Sequence, residues 1–135
     1  MSKAFSQSRR KLSSVSDFPL PRRGEIWFVD FSPGRGSEQT GRRPALILQN
    51  DAGNQHPRYP NTVVLAMSTE GKPIPFHIRI TPDQQNGLRE VTYVKCEQIL
   101  TLAKARLLGR EPLGRLSTAE MRKVEVAVKL SLALP

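Results

Sequence analysis

The sequence predicts a mainly β fold, a small barrel of short strands with one α-helix at its C-terminal end. Three observations carry this. Short apolar and β-branched runs recur between Gly- and Pro-rich breaks from Glu25 onward. A single stretch near the C-terminus switches to helical spacing behind a capping signal. No helical segment separates the strands, which disfavours a parallel sheet with its crossover helices.

Glu25 to Phe31 is a run of β-formers, with Ile26, Phe28 and Asp30 on one face and Trp27, Val29 and Phe31 on the other. Ser32 to Arg42, with Pro33, Gly34, Gly36 and Gly41, is a long loop, and long loops in small domains are commonly functional. Pro44 supplies no N–H and biases Arg43 toward an extended backbone, so a second strand is expected from about there through Leu48. Asn50 to Pro60 reads as a polar loop, punctuated by Gly53, Pro57 and Pro60.

Thr62 to Ser68 forms a third expected strand and Phe76 to Ile80 a fourth. Asn86-Gly87 marks a turn. Val91 to Val94 and Ile99 to Ala103 read as two further short strands. Ser117 and Glu120 then fit a capping box, with Leu116 and Met121 placed as a hydrophobic staple. Met121, Val124, Val128 and Leu132 share one helical face, which packs the helix on the barrel.

With 135 residues the chain is one domain with a core of its own. Residues 1–22 read as a basic arm without hydrophobic periodicity, and 23–135 as the globular domain. The only cysteine is Cys96 and the only histidines are His56 and His77. An internal disulfide is excluded, and a metal site built on thiolates or imidazoles is disfavoured, so no metal or other cofactor is expected. No apolar run approaches the roughly 20 residues that span a bilayer. Met1 to Leu20 is basic and Ser-rich without the apolar centre of a secretory signal, so the expected location is cytoplasmic. Of the net charge of +9, the first 23 residues carry +5. Such an arm can raise affinity for RNA through counterion release, or it is simply a solvated tail.

The chain is organised around Gly36 to Asp51. Its first half is a polar, glycine-flanked loop holding Arg42 and Arg43, and its second half is the apolar start of a buried strand. Two guanidiniums, the Glu38 carboxylate and several amides and hydroxyls are thus delivered to the mouth of a sheet. That makes an anion site, and the basic chain points to a nucleic acid phosphate.

Gly24-Glu25-Ile26-Trp27-Phe28-Val29-Asp30, Gly36-Ser37-Glu38-Gln39, Gly41-Arg42-Arg43-Pro44, Gln49-Asn50-Asp51 and Met67-Ser68-Thr69 together resemble the MazF/PemK toxin family. The resemblance extends from about Arg23 to Leu134. It implies an SH3-like barrel of the CcdB/MazF type, a homodimer, and sequence-specific, metal-independent cleavage of single-stranded RNA. It also implies a cognate MazE-like antitoxin whose acidic C-terminal segment occupies the RNA groove. Arg43 and Thr69 match the family's catalytic positions. Thr40 stands where the family often has glycine, and Ser68 beside Thr69 is an alternative source of the hydroxyl.

RNA carries its own nucleophile, the 2′-OH, so a ribonuclease needs only to help deprotonate it, stabilise the charged transition state and protonate the leaving oxygen. Arg43 can place a fork of donors on phosphate oxygens and Thr69 can add one more hydrogen bond. Because a guanidinium pKa lies above about 12, charge stabilisation is the role assigned to Arg43, with proton transfer left open. Arg42 reads as a phosphate or antitoxin contact, since its side chain points away from that of Arg43 in an extended segment. Ser37, Glu38 and Gln39 can read base edges or gate the groove. Gln49, Asn50 and Ser68 are further candidate RNA contacts, although Gln49 and Asn50 can instead satisfy loop backbone. His77 reads as a structural strand histidine, Cys96 as inert packing and Trp27 as core or dimer support. Two other functions fit the same barrel: a non-catalytic RNA-binding module, and a CcdB-like gyrase poison. The Arg-Arg-Pro loop and Thr69 favour the ribonuclease, because a gyrase binder has no need of them.

Overall fold

In the computed structural model, which describes residues 16–31 and 41–135, the β-forming runs assemble into one curled antiparallel sheet. Its strands are β1 (Glu25–Asp30), β2 (Arg42–Ile47), β3 (Asn61–Ser68), β4 (His77–Ile80), β5 (Thr92–Ala103) and β6 (Gly114–Arg115). Their spatial order is β4-β5-β3-β2-β1-β6, a half-barrel with β4 and β6 at its edges. Two α-helices accompany it, the single turn α1 (Asp51–Asn54) and the longer C-terminal α2 (Thr118–Ser131).

The alternation along β1 is realised by burying both faces of the sheet. Ile26, Leu46, Leu65, Met67, Val94 and Cys96 pack beneath α2 against Met121, Val124 and Ala127. On the opposite face Trp27, Val29, Ala45, Ile47, Val64 and Leu107 form a second cluster, against which Leu100 and Leu102 of β5 pack. Trp27 is therefore a core residue, and its indole N–H donates to Glu25 Oε1 at 3.0 Å. Phe28 departs from the pattern, with 42% of its surface exposed.

The helix start matches its sequence signal. Ser117 Oγ accepts from the Glu120 N–H at 3.1 Å, and Glu120 Oε1 accepts from the Ser117 N–H at 2.9 Å. Leu116 and Met121 are both buried in the cluster beneath α2. Leu132 does not continue the buried stripe: it is the C-cap, 51% exposed, beyond the point where helical spacing applies. Ala127 takes the buried position instead.

Two further expectations are corrected. The stretches Val91–Val94 and Ile99–Ala103 belong to a single strand, β5. Its register with β3 jumps from Leu65↔Ile99 to Ala66↔Lys95, leaving Cys96–Gln98 bulged out of that ladder. The Cys96 N–H bonds the Phe76 carbonyl at 2.8 Å instead. Polar Glu97 and Gln98 in this bulge look like a break when only the linear pattern is available. The second correction is α1, which opens the polar Asn50–Pro60 segment. Asn50 caps it, its side chain accepting from the Gly53 N–H at 3.1 Å.

Arm residues 1–15 lie outside the described residues. Phe18 to Pro21 lie against the domain: Gln55 Nε2 donates to the Leu20 and Pro21 carbonyls at 3.2 and 2.8 Å. Lys104 Nζ sits 5.3 Å from the Phe18 ring centre. Among the described residues, no helix is long and apolar enough to cross a membrane.

Candidate active site

The β2–β3 ladder runs Ile47↔Val64, Leu46↔Leu65, Ala45↔Ala66 and stops there. The next residue of β2 is Pro44, which has no N–H to give a neighbouring strand. Continuing that register sets Arg43 opposite Ser68. Between the two strand ends lies a cavity of about 260 Å³ lined by Arg43, Pro44, Met67, Ser68, Thr69, Glu70 and Thr92. The fold therefore brings Arg43 and Thr69 to one cavity. Among the described residues, neither the Arg43 guanidinium nor the Thr69 hydroxyl has a hydrogen bond or ion pair, and both residues are exposed.

Ser68 also lines the cavity, but its Oγ accepts from the Glu70 N–H at 3.1 Å and so caps the turn that follows β3. Of the two adjacent hydroxyls, that of Thr69 is the uncommitted one. Arg42 is exposed and paired in register with Asp30, and it does not line the cavity.

A second cavity of about 460 Å³ adjoins the first through Pro44, Thr69 and Thr92. Its wall contains Phe28, Gly87, Leu88, Arg89, Glu90 and Leu113, none of which was a candidate from sequence. Phe28 is exposed because it faces this opening. The wall is rigid. Asn86, fully buried, accepts from the Asp83 and Leu88 N–H groups at 3.1 and 2.9 Å and donates to the Thr81 carbonyl at 2.9 Å. Gly87 follows at φ 69°, where a side chain would also overlap the Leu113 carbonyl. The Asn-Gly signal marked this turn. Its place beside Thr69 comes from the pairings Ile80↔Thr92 and Ser68↔Tyr93, which set the start of the β3–β4 connection and the β4–β5 connection at one end of the sheet.

Gln49 and Asn50 lie elsewhere. Both line a separate cavity of about 570 Å³ with Ala52, Gly53, His56, Arg58 and Tyr59. Gln49 Nε2 donates to Asn54 Oδ1 at 3.0 Å and to the Asn61 carbonyl at 3.2 Å, while Asn50 caps α1. Ser37, Glu38 and Gln39 fall outside the described residues.

The chain and its fold have counterparts among known proteins. Residues 22–132 match the family model for PemK-like, MazF-like toxins of type II toxin–antitoxin systems. Endoribonuclease MazF9 of Mycobacterium tuberculosis is 40% identical over 85% of this chain and 98% of its own length. Endoribonuclease MazF of Staphylococcus epidermidis is 41% identical over 84% of this chain and 92% of its own. Among solved structures, a mycobacterial endoribonuclease in complex with its cognate antitoxin superposes with a TM-score of 0.68 at 30% identity. That match covers 85% of this chain and 97% of the other. MazF from Deinococcus radiodurans superposes with a TM-score of 0.70 at 25% identity, covering 85% of this chain and 98% of its own.

Proposed function

We propose that this chain, which belongs to the PemK-like, MazF-like family of toxins of type II toxin–antitoxin systems, is an endoribonuclease that cuts single-stranded RNA at a short recognised sequence. The observation that carries this is the meeting of Arg43 and Thr69, both without partners among the described residues, at one cavity. A scissile phosphate seated there receives two N–H donors of the Arg43 fork on its nonbridging oxygens and one hydrogen bond from Thr69 Oγ1. Both donors are positioned before the charge develops on the transition state, which is where such bonds accelerate a reaction. The nucleophile is the RNA's own 2′-OH, so the chain has only to orient the phosphate and stabilise its charge, and no metal ion is needed for the step.

The adjoining cavity, with Phe28 exposed in its wall and Arg89 at its side, extends the groove along the RNA. Splayed bases of single-stranded RNA are read by stacking and edge contacts, for which such an opening is suited. Arg42 adds a phosphate contact at the groove's rim. Ser37, Glu38 and Gln39, which precede β2 in the sequence, are assigned to base reading. The chain acts in the cytoplasm as a homodimer and is held inactive by a cognate antitoxin with an acidic C-terminal segment; the binding of an antitoxin is supported by the mycobacterial relative, which was solved in complex with its own.

The test is incubation of the purified protein, and of Arg43→Ala, with a long single-stranded RNA in EDTA, followed by primer extension. Discrete cuts at a recurring sequence, lost in the variant, are expected. Cleavage that persists in Arg43→Ala moves the chemistry elsewhere. A folded dimer that does not cut RNA favours the non-catalytic module.

A further inference from the structure

We infer that His77 is a positioning residue for Thr69, acting through the backbone of the β3–β4 connection. The inference rests on the ribonuclease proposal above. Thr69 begins the segment of residues 69–76, which leaves β3 at Ser68 and returns to β4 at His77. Much of that segment is exposed, yet it is tied at several points. The His77 ring Nδ1 accepts from the Lys72 N–H at 3.0 Å. The Ile74 N–H bonds the Lys72 carbonyl at 2.8 Å and the His77 N–H bonds the Ile74 carbonyl at 3.1 Å. Gly71 rests on the ring of Tyr93, so closely that a Cβ there would overlap the ring carbons.

The other ring nitrogen decides the proton. Since Nδ1 accepts a backbone N–H it carries no hydrogen, and Nε2 must donate, to Glu97 Oε2 at 2.9 Å. The Glu97 carboxylate thereby holds the tautomer that leaves Nδ1 free to accept. The side chain of His77 is only 4% exposed, so this orientation is held by packing as well. Only Glu70 and Gly71 separate Thr69 from the anchored Lys72 amide. Releasing that amide lets the hydroxyl drift from the position at which it meets the phosphate, and a displacement of about 1 Å costs on the order of 10²-fold in rate. A histidine that merely filled space would have no need of one tautomer directed at this loop.

The two amide isosteres separate the two ring nitrogens. Asn at this position presents Oδ1 where His77 has Nδ1, and Gln presents Nε2 where the ring has Nε2. With a short RNA spanning a mapped cut, His77→Gln is expected to lower kcat by at least about 10-fold with KM within about twofold, the signature of a misplaced transition-state contact. His77→Asn is expected to stay within about threefold of the parent. The Thr69→Ala/His77→Gln double variant should be no slower than Thr69→Ala alone, because both remove the same contact. Gly71→Ala, at an exposed position, displaces the same loop from Tyr93 without touching the core and should reproduce the kcat loss. Equal losses in both isosteres, a change confined to KM, or additive losses in the double variant would overturn the inference. If His77→Gln fails to fold, Gly71→Ala decides: an unchanged kcat refutes the positioning role. Failure of the ribonuclease proposal looks different, since the parent would then not cut, or Thr69→Ala would cut normally.

Discussion

The two ends of β2 carry similar polar residues and use them in opposite ways. At its C-terminal end, Gln49, Asn50, Asn54 and Lys104 are all spent on neighbours. Asn54, fully buried, donates to the Gln49 carbonyl at 2.7 Å, and its Oδ1 accepts from Gln49 Nε2 at 3.0 Å and from Thr62 Oγ1 at 2.8 Å. Lys104, also fully buried, donates to the Gly53 and His56 carbonyls at 2.8 and 3.1 Å beneath the rings of Phe18 and Tyr59. Burial lowers the pKa of its ammonium, and those two carbonyls are what hold the cation there. At the N-terminal end, Arg43 and Thr69 have no such partners among the described residues. Polar groups that satisfy one another build the fold, while polar groups left facing a cavity are available to a ligand.

That contrast predicts a crossover between two substitutions. Arg43→Ala should reduce kcat/KM by about 10²–10³-fold, while its melting temperature stays within about 2 °C of the parent. Asn54→Ala should do the reverse, destabilising by about 2–4 kcal/mol in urea titration because buried donors and acceptors lose their partners, with kcat changed little at temperatures where it is folded. A large activity loss in folded Asn54→Ala would join the two ends into one site.

A smaller effect comes from Cys96, beneath α2 and beside the His77–Glu97 pair. Burial, and next the charge of Glu97, push its thiol from 9.0 up to about 12. The folded pKa is raised above the unfolded one, so the stabilisation is complete below about pH 9 and is lost as pH rises toward about 12. Across that window the slope approaches ~1.4 kcal/mol per pH unit, and Cys96→Ser should flatten it in denaturant titrations at pH 8 and 10.5. An unchanged slope would mean that the thiol ionises as readily folded as unfolded.

The smallest effect sharpens the boundary between the two ends. Asn50→Ala should cost about 1 kcal/mol of stability, the worth of an N-cap, and change RNA affinity by less than about threefold. A loss of RNA affinity above about tenfold, read by filter binding, would extend the groove to the cavity beside α1.

Much of this was legible in the chain itself. The period-2 run of Glu25–Phe31, the proline at the head of β2 and the Ser117–Glu120 box depend on neighbours within a few residues, so local sequence determines them. The Arg43 and Thr69 positions were legible through the family's motif residues. Phe28, Arg89 and Glu90 were not, because they reach the cavity only after β1, β2, β3 and β5 have joined in one sheet. Gln49 and Asn50 carried the right chemistry for RNA and lie in a different cavity.

What the sequence by itself determined was the kind of most elements, with α1 and the unity of β5 the exceptions, and that a guanidinium and a hydroxyl stand beside the ends of β2 and β3. Only the tertiary structure decided which polar groups are already taken. Lys104 meets Gly53 across 51 residues and His77 meets Glu97 across 20, and no local pattern announces either bond. A hydrogen bond is satisfied by whatever stands about 3 Å away, and for these residues long-range strand pairing sets that neighbour.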